Sequence, residues 1–506
     1  MTQVRKSKID SASLERGSIV ISEDVTDEKK IGAQFDFGGD STLPPPPELS
    51  PEEVKRLYRK IDLRILPILS LMYLCSFLDR GNAKLAGLVE ELKLDGNKYN
   101  IALTMFFIPY CLFECPANLV LKKFRPSRWL PGITIAWGTV MILMGLVKTY
   151  PQLVGTRICL GVAEAGLFPG VVYYLTFWHP RYMQQYRIGL FFGAATIAGA
   201  FSGLLAFAIE HMDGTHGFRA WSWIFILEGI ATVAVGIVAF FVLVDFPVTA
   251  SFLTPEERAY VIHRKKYDNS RGFGEAEEFA LRYVWAAFKD WQVWLHILVY
   301  MSIIGPLYSI SLFLPFGYSV PITQLLTVPP YVFLHVSIVL LVFAHFSDKV
   351  QKRSPFILLG LTMLVVGFSI NISAAPRGVK YFGTFLCVAG SYAPFPGVLV
   401  WLGNNLSGQY KRGVGMALQI GIGKFSGTIA SNIYRTRDAP RYILGHGLVL
   451  MFIGIGFVCT PLVIATYLRI NSCRRENMQQ ARGKADLSVE EIHELGDRAP
   501  DFKYTI

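Results

Sequence analysis

Residues 152–178 read QLVGTRICLGVAEAGLFPGVVYYLTFW, a long apolar run in which Arg157 and Glu164 are the only charged side chains. A helix that crosses the hydrocarbon core of a bilayer needs about 20 mostly apolar residues. This stretch therefore predicts a membrane-spanning helix. A charged group inside such a helix costs on the order of 2.5–3.5 kcal/mol to insert, so it is expected to face a cavity or a partner. The two charges mark where function should be sought.

Eleven further apolar runs of similar length surround this one, and together they predict twelve spanning helices. The longest internal polar stretch, 245–290, separates them into two sets of six. The predicted fold class is an all-α polytopic membrane protein with 12 transmembrane helices in two six-helix bundles. The spans are predicted at 64–84, 101–121, 129–147, 152–178, 188–210 and 221–244, and at 291–314, 325–346, 355–374, 381–403, 413–433 and 443–469.

The composition argues against several classes of soluble protein. Of the 506 residues, 52% are hydrophobic and 17% are charged, and the mean hydropathy is +0.38, whereas soluble domains carry about 25% charged residues. A small secreted disulfide scaffold and a nucleic-acid-binding domain are therefore poor interpretations. The seven cysteines show no CxxC spacing, which argues against a disulfide framework or a zinc site.

The polar segments define the domain organisation that we predict. Residues 1–50 are polar, contain four consecutive prolines and are expected to form a disordered cytosolic tail. Residues 51–244 form the first bundle, 245–290 a cytosolic linker, 291–470 the second bundle and 471–506 a cytosolic C-terminal tail. Lys and Arg are enriched in alternate loops counted from the N-terminal flank, so both termini are expected to be cytoplasmic.

A basic loop follows the second predicted helix of each half. The first loop contains Arg128, and the second contains Asp348 and Arg353. These equivalent positions indicate a weak internal repeat, and paired six-helix halves are typical of transporters. We predict a gating or structural role for the three residues.

Arg157 and Glu164 are seven residues apart, which is close to two helical turns. Their side chains therefore lie on nearly the same face, about 10 Å apart along the helix axis. Burial favours the neutral form of a carboxyl group, and a nearby cation favours the charged form. A carboxyl balanced between these effects can titrate, which predicts that Glu164 exchanges a proton. The alternative is a charge pair that only holds this helix against its neighbours.

Two further cations lie in or at the end of predicted spans. Arg80, at the end of the first helix, is either a fixed cation near the substrate cavity or an interfacial Arg paired with Asp79. Lys424 lies in the middle of the eleventh predicted helix, after two glycines. A Lys at this depth either faces a wet cavity and attracts an anion, or it snorkels or pairs internally.

Other titratable groups in the spans have a structural interpretation beside the functional one. Glu114 lies between two prolines. A polar side chain there can hydrogen-bond to backbone groups that lose their partners at a proline kink. The alternative role for Glu114 is to bind and release a proton. A histidine in a span either packs or relays protons. His335 is a proton-coupling candidate on this basis, together with His296 and His345.

No motif of a soluble enzyme accompanies these groups. The sequence contains no HExxH, no GxxxxGK[ST] phosphate-binding loop and no clustered histidines. We therefore predict no enzymatic activity, no cofactor, no metal and no nucleic-acid partner. Without a nucleotide-binding fold, any uphill transport has to draw on an ion gradient.

Several stretches resemble the major facilitator superfamily and, more narrowly, the fungal allantoate permease family of anion:cation symporters. They include residues 76–84 (SFLDRGNAK), 164–170 (EAGLFPG), 325–331 (LLTVPPY), 431–435 (SNIYR) and 502–504 (FKY). The resemblance implies the major facilitator fold. It also implies import of organic anions such as allantoate, ureidosuccinate, nicotinate, pantothenate or biotin, typically with protons.

The resemblance also implies roles for single residues. Glu164 matches the carboxylate implicated in proton coupling, with Arg157 seven residues before it, and Arg80 matches the anion-binding cation. Related symporters often place another cation on the seventh helix. Residues 301–305 read MSIIG and have none, so a two-cation site requires that Lys424 substitutes for it from the eleventh helix.

The leading prediction is a secondary active transporter that imports a small organic anion with protons across the plasma membrane of a fungal cell. Its partners are then the anion, the proton and the lipid bilayer, and it acts as a monomer by alternating access. One alternative is export of a secondary metabolite, or carriage of its precursor, because the loop 313–318 (FLPFGY) looks shorter than is usual in the family. A non-transporting nutrient sensor is the alternative of a different class.

Overall fold

The structure is built from helices. The computed structural model describes residues 48–78, 87–94, 98–267, 281–312, 339–434, 442–480, 496–500 and 502–506. Within these ranges there is no β-strand. Helix is found at the position of each of the twelve predicted spans, although parts of the first, seventh and eighth spans lie outside the described ranges.

The first half contains six of these helices. They are α1 (Pro51–Leu78), α2 (Lys98–Lys123), α3 (Pro126–Met144), α4 (two segments, Tyr150–Glu164 and Leu167–Trp178), α5 (Gln184–Glu210) and α6 (Ala220–Val242). A one-turn helix, Leu88–Glu91, precedes α2. Large buried side chains such as Trp137, Trp178 and Trp221 fill the interior of this half.

The second half contains the other six. They are α7 (Trp291–Leu312), α8 (Leu340–Val350), α9 (Ser354–Ile372), α10 (two segments, Arg377–Tyr392 and Phe395–Asn405), α11 (Gln409–Ile433) and α12 (Ile443–Gln480). Two short helices, Pro255–Tyr267 and Leu281–Phe288, connect the halves along the sequence. By length and composition, seven helices of the described ranges can cross a membrane: α2, α4, α6, α7, α9, α10 and α12.

The fourth helices of the two halves, α4 and α10, are interrupted at matching places. The interruption falls at 165–166 in α4 and at 393–394 in α10. Phe-Pro-Gly follows in both, at 168–170 and at 395–397. Each proline lacks the N–H that would bond to the carbonyl four residues earlier, at or beside the interruption. Interrupted helices of this kind are typical of binding sites at the interface between transporter repeats.

The two halves contact each other mainly through two pairs of helices, with smaller contacts of α5 with α10 and of α4 with α11. α2 packs against α11, and α5 packs against α8. Near the end of α2, Asn118 donates a hydrogen bond to the carbonyl of Gly413 at 2.9 Å. Near its beginning, the Thr104 hydroxyl accepts one from Asn432 at 3.3 Å. The halves therefore touch over most of the length of α2.

The described residues after 495 pack against the predicted cytosolic end of the second half. Thr505 and Asn405 exchange two hydrogen bonds, at 2.7 and 3.0 Å. The carbonyl of Ile506 accepts a further hydrogen bond from the backbone N–H of Arg353 at 2.7 Å. This segment therefore joins the end of α10 to the loop between α8 and α9.

Candidate functional site

A cavity lies between the two halves, and aromatic side chains form most of its wall. Eight of its 14 lining residues are aromatic, and they come from both halves. Among the described residues, Glu164 from α4 and Lys424 from α11 are the charged groups on the wall. The aromatic members include Tyr73, Tyr110, Phe168, Tyr300, Tyr308 and Phe395.

Lys424 points into this cavity. Its side chain is buried, with 7% of its surface exposed, and its Nζ donates a hydrogen bond to the Tyr110 hydroxyl at 2.5 Å. The same ammonium lies 3.9 Å from the centre of the Tyr110 ring and 5.2 Å from that of Phe168. Cation–π attraction of this kind holds a desolvated ammonium in place. Lys424 therefore does not snorkel towards a membrane interface.

Two glycines allow other groups to approach Lys424. A Cβ atom on Gly423 would overlap the ring of Tyr300 from α7. A Cβ atom on Gly421 would lie 3.3 Å from Oε2 of Glu114 on α2. The absence of side chains at these positions lets α2 and α7 pack closely against α11, which brings Glu114 and Tyr300 towards the ammonium.

Glu164 also lines the cavity. It is the last residue of the first segment of α4, directly before the interruption in that helix, and its side chain is 3% exposed. The carboxyl group belongs to the first half and the ammonium of Lys424 to the second. Of the residues that the structure describes, one group of each charge therefore lines the cavity, and the two come from different bundles.

Arg157 occupies a different environment from Glu164. It is 6% exposed, and its guanidinium carbon lies 5.7 Å from the centre of the Phe225 ring on α6. It does not belong to the cavity wall. The guanidinium of Arg157 thus faces the Phe225 ring, and Arg157 lies about two turns before Glu164 along α4.

The remaining sequence candidates divide into two groups. Asp79, Arg80 and His335 lie outside the described residues, as does the loop 313–318. His296 is fully buried, and its Nε2 hydrogen-bonds with the Tyr467 hydroxyl at 3.1 Å. The geometry of His296 is that of a packing group in the second half. The third histidine candidate, His345, has an exposed side chain on α8.

Glu114 does not have the backbone-satisfying role that its position between prolines suggests. Its side chain is 0% exposed. Neither carboxyl oxygen has a hydrogen-bond partner among the described residues. It interacts electrostatically with Lys424 and Glu164 instead. The sequence singled out Glu114 but did not indicate its proximity to Lys424 and Glu164.

Asp348 and Arg353 link the two halves at the predicted cytosolic end. Their side chains form an ion pair at 2.6 Å. The backbone N–H of Tyr186, at the beginning of α5, donates to Asp348 at 2.9 Å, and Arg353 donates to the Gln185 side chain at 2.7 Å. Arg128, the candidate from the first loop, has an exposed side chain. Asp348 and Arg353, the candidates from the second loop, therefore contact the first half directly.

A second ionic cluster lies within the first half at the same end. Arg187 of α5 and His179 both donate hydrogen bonds to Asp62 of α1, at 2.8 and 2.9 Å. Burial by itself would raise the pKa of Asp62, but the hydrogen bonds and charges of His179 and Arg187 outweigh it and lower the pKa below its usual range. Asp62 is therefore ionised at neutral pH and ties α1 to α5.

Replacing Asp348 by Asn is expected to lower the melting temperature of the purified protein clearly. Arg353 is only 2% exposed and would lose its ionised partner. Breaking a buried ion pair typically costs about 3–5 kcal/mol, because the remaining charge stays buried. Asp213→Asn is the matched control, since Asp213 pairs with Arg219 at 3.5 Å and both side chains are exposed. Equal melting temperatures for the two variants would contradict this account of the contact.

Comparison with known proteins identifies the family. The profile of the Major Facilitator Superfamily matches residues 69–431. The MFS-type transporter cnsO of Penicillium expansum is 34% identical over 475 residues, which cover 89% of this chain and 90% of that protein. The high-affinity nicotinic acid transporter of Saccharomyces cerevisiae is 30% identical over 460 residues, which cover 89% of this chain and 84% of that protein.

A solved structure shares the fold. The xylose transporter XylE from E. coli, in a partially occluded inward open conformation, aligns with a TM-score of 0.57 over 80% of this chain and 97% of that chain, at 14% identity. The predicted all-α polytopic class with the major facilitator fold is thereby confirmed, and relatives named as transporters support the expectation that the chain is not an enzyme. On the family match, the relatives and the shared fold, this chain belongs to the major facilitator superfamily.

Proposed function

We propose that this protein imports a small organic anion together with a proton, by alternating access. The observation that carries the proposal is the pair of opposite charges on one cavity wall, Glu164 from the first half and Lys424 from the second. The ammonium attracts a carboxylate, and the carboxyl group accepts a proton. Because the cavity lies between the halves, rocking of one half against the other exposes both ligands to one side at a time.

The aromatic wall favours an anion with a flat apolar body. Rings such as those of Phe168, Phe395 and Tyr300 can stack on an aromatic ligand while its carboxylate reaches Lys424. The relationship to a protein named as a nicotinic acid transporter supports the same chemistry. We propose an aromatic monocarboxylate as the substrate class, with nicotinate as the first probe.

Proton coupling removes an electrical penalty. With an interior of roughly −100 mV, a monoanion that enters alone is opposed by about 2.3 kcal/mol. One proton carried in the same step cancels this term. In the proposed cycle the outward-facing protein takes a proton on Glu164, which removes a negative charge from the cavity that Lys424 also lines. The substrate carboxylate then binds the ammonium, and the neutral site permits the halves to rock.

Arg80, Asp79 and His335 keep the roles predicted from the sequence, whereas Arg157 takes the structural role that was its alternative. Arg80 supplies a second cation at the end of the first helix, next to Asp79, and His335 is a further candidate for proton coupling. Arg157 supports the position of α4 through its contact with Phe225. Asp348 and Arg353 hold the cytosolic gate closed in the outward-facing state.

The proposal also covers the subfamily of this protein, the membrane in which it lies and the orientation of its termini. We place the chain in the fungal allantoate permease family, in the plasma membrane, with both termini in the cytoplasm. It acts as a monomer. Growth of a deletion strain separates import from the export alternative: failure to grow on an external anion supports import, and accumulation of a compound inside the cells supports export.

Uptake of radiolabelled nicotinate into vesicles tests the proposal. Wild-type protein is compared with Glu164→Gln at an outside pH of about 5 and about 7.5, around the range where carboxyl groups titrate. Wild-type vesicles are expected to accumulate nicotinate at the lower pH, while neutral nicotinamide is not accumulated. Uptake that does not depend on the pH gradient in either protein would count against proton coupling.

A further inference from the structure

Glu114 is a buried carboxyl group that the proposed cycle does not use. It lies on α2, its side chain is 0% exposed, and neither of its oxygens has a hydrogen-bond partner among the described residues. An ionised carboxylate is strongly disfavoured in such surroundings unless a cation compensates it. Ionisable groups at membrane depth are expensive and are typically functional. The position of Glu114 therefore requires an explanation.

The nearest charged groups belong to the substrate cavity. Oε2 of Glu114 lies 3.3 Å from the point where a Cβ atom on Gly421 would stand, and Lys424 follows three residues later, on the same face of α11. Glu114 interacts electrostatically with both Lys424 and Glu164. Among the described residues, the other titratable groups that interact with it are one phenol, Tyr300, and two thiols, Cys111 and Cys115.

Glu114 thus interacts electrostatically with the second carboxyl, Glu164, and with the ammonium of Lys424, whose hydrogen-bond partner is the Tyr110 hydroxyl. Phenols and thiols ordinarily titrate only above neutral pH, so the charge of this cluster changes mainly at Glu114 and Glu164. With both carboxyls ionised, the cluster carries one net negative charge and repels an anion. With one proton bound the cluster is neutral, because the remaining carboxylate still compensates the charge of the ammonium. Only with both carboxyls neutral does Lys424 offer an uncompensated positive charge.

We propose that Glu114 is a second proton-binding carboxyl of the substrate site, which has to be neutral while the anion is bound. A negative charge on one carboxyl repels a negative charge on the other. Glu164 exchanges the transported proton, and Glu114 sets the pH range in which the anion binds. This inference rests on the proposed function and adds a residue and a proton requirement to it.

The first test is the pH dependence of nicotinate affinity in the purified full-length protein. Glutamine at position 114 keeps the shape of the side chain and is permanently neutral. As the pH is raised, nicotinate affinity is expected to decrease in both proteins, but in Glu114→Gln the decrease is expected about one pH unit higher than in the wild type. At a given pH above neutral, the variant is therefore expected to bind nicotinate about tenfold more tightly than the wild type. Glu228→Gln, at another buried glutamate of the first half, is expected to keep the wild-type pH profile, because the glutamates that act on Lys424 in this proposal are Glu114 and Glu164.

A second test needs no ligand. Infrared difference spectra of the wild type and Glu114→Gln at neutral pH are expected to differ in the C=O band of a protonated carboxyl, which the variant loses. Glu114→Asp is expected to retain the band. This measurement is independent of transport, so the inference and the proposed function can fail separately.

Two results would overturn the inference. One is an unchanged infrared band together with a wild-type pH profile of binding in Glu114→Gln, since Glu114 would then play a structural part only. The other is loss of pH-driven accumulation by Glu114→Gln vesicles, since Glu114 would then carry the transported proton in place of Glu164.

Discussion

Replacement of Lys424 by alanine is expected to abolish binding and uptake of carboxylates. Within the described residues, this side chain supplies the positive charge on the cavity wall, and it is only 7% exposed. Removing one partner from a buried, charge-assisted contact typically costs about 3–5 kcal/mol. That range corresponds to a loss of about 100- to 1,000-fold or more in affinity. The measurement is the nicotinate dissociation constant of the purified variant.

Two variants make this result interpretable. Lys424→Arg keeps the charge but changes its shape, and it is expected to retain part of the affinity. Lys289→Ala removes an exposed lysine outside the cavity and is expected to bind like the wild type. Wild-type affinity in a folded Lys424→Ala protein would show that the anion binds elsewhere.

Replacement of Glu164 by glutamine is expected to preserve the exchange of nicotinate across the membrane but to abolish its pH-driven accumulation. Glutamine has nearly the shape of glutamate but cannot gain or lose a proton, so the cavity is fixed in one charge state. The anion still binds Lys424, and labelled nicotinate still exchanges for unlabelled nicotinate across the vesicle membrane. A pH gradient no longer drives uptake, because no proton moves with the anion.

Counterflow in proteoliposomes measures the two activities side by side. Glu228→Gln is the matched control, since Glu228 is also a buried glutamate of the first half and lies outside the cavity wall. It is expected to keep both activities. Accumulation by Glu164→Gln at the wild-type level would assign proton coupling to another residue.

The helices of this fold were predictable from the sequence because a spanning helix depends on local composition. Apolar runs of about 20 residues mark each span, and the polar stretch 245–290 divides them. The interruptions of α4 and α10 were not predicted. A signal for them exists in the sequence, since Phe-Pro-Gly occurs at 168–170 and again at 395–397, at equivalent places in the two halves.

The candidate site was predictable only in part. Glu164 and Lys424 were singled out because each charge is expensive to bury in a span. Their shared cavity was not, since they are 260 positions apart (424 minus 164) and lie in different bundles. Arg157 was expected to act with Glu164, and that role is still untested. The structure places its guanidinium against Phe225, a contact that helical spacing alone does not reveal.

Glu114 illustrates why the rest could not be found from one helix. Its neighbours along α2 include two prolines, which favoured a structural role. Its significance comes from Lys424 and Glu164, which tertiary packing brings near it. The glycine at position 421 permits that approach, and no local pattern in α2 indicates it.

The central claim is that one proton moves with each anion through the cavity between Glu164 and Lys424. Proteoliposomes that contain a pH-sensitive dye in the lumen test it most directly. Adding external nicotinate is expected to acidify the lumen beyond the level of protein-free liposomes, with one proton per labelled anion taken up and no response in Glu164→Gln. Nicotinate entry without any acidification above the protein-free level would contradict the account.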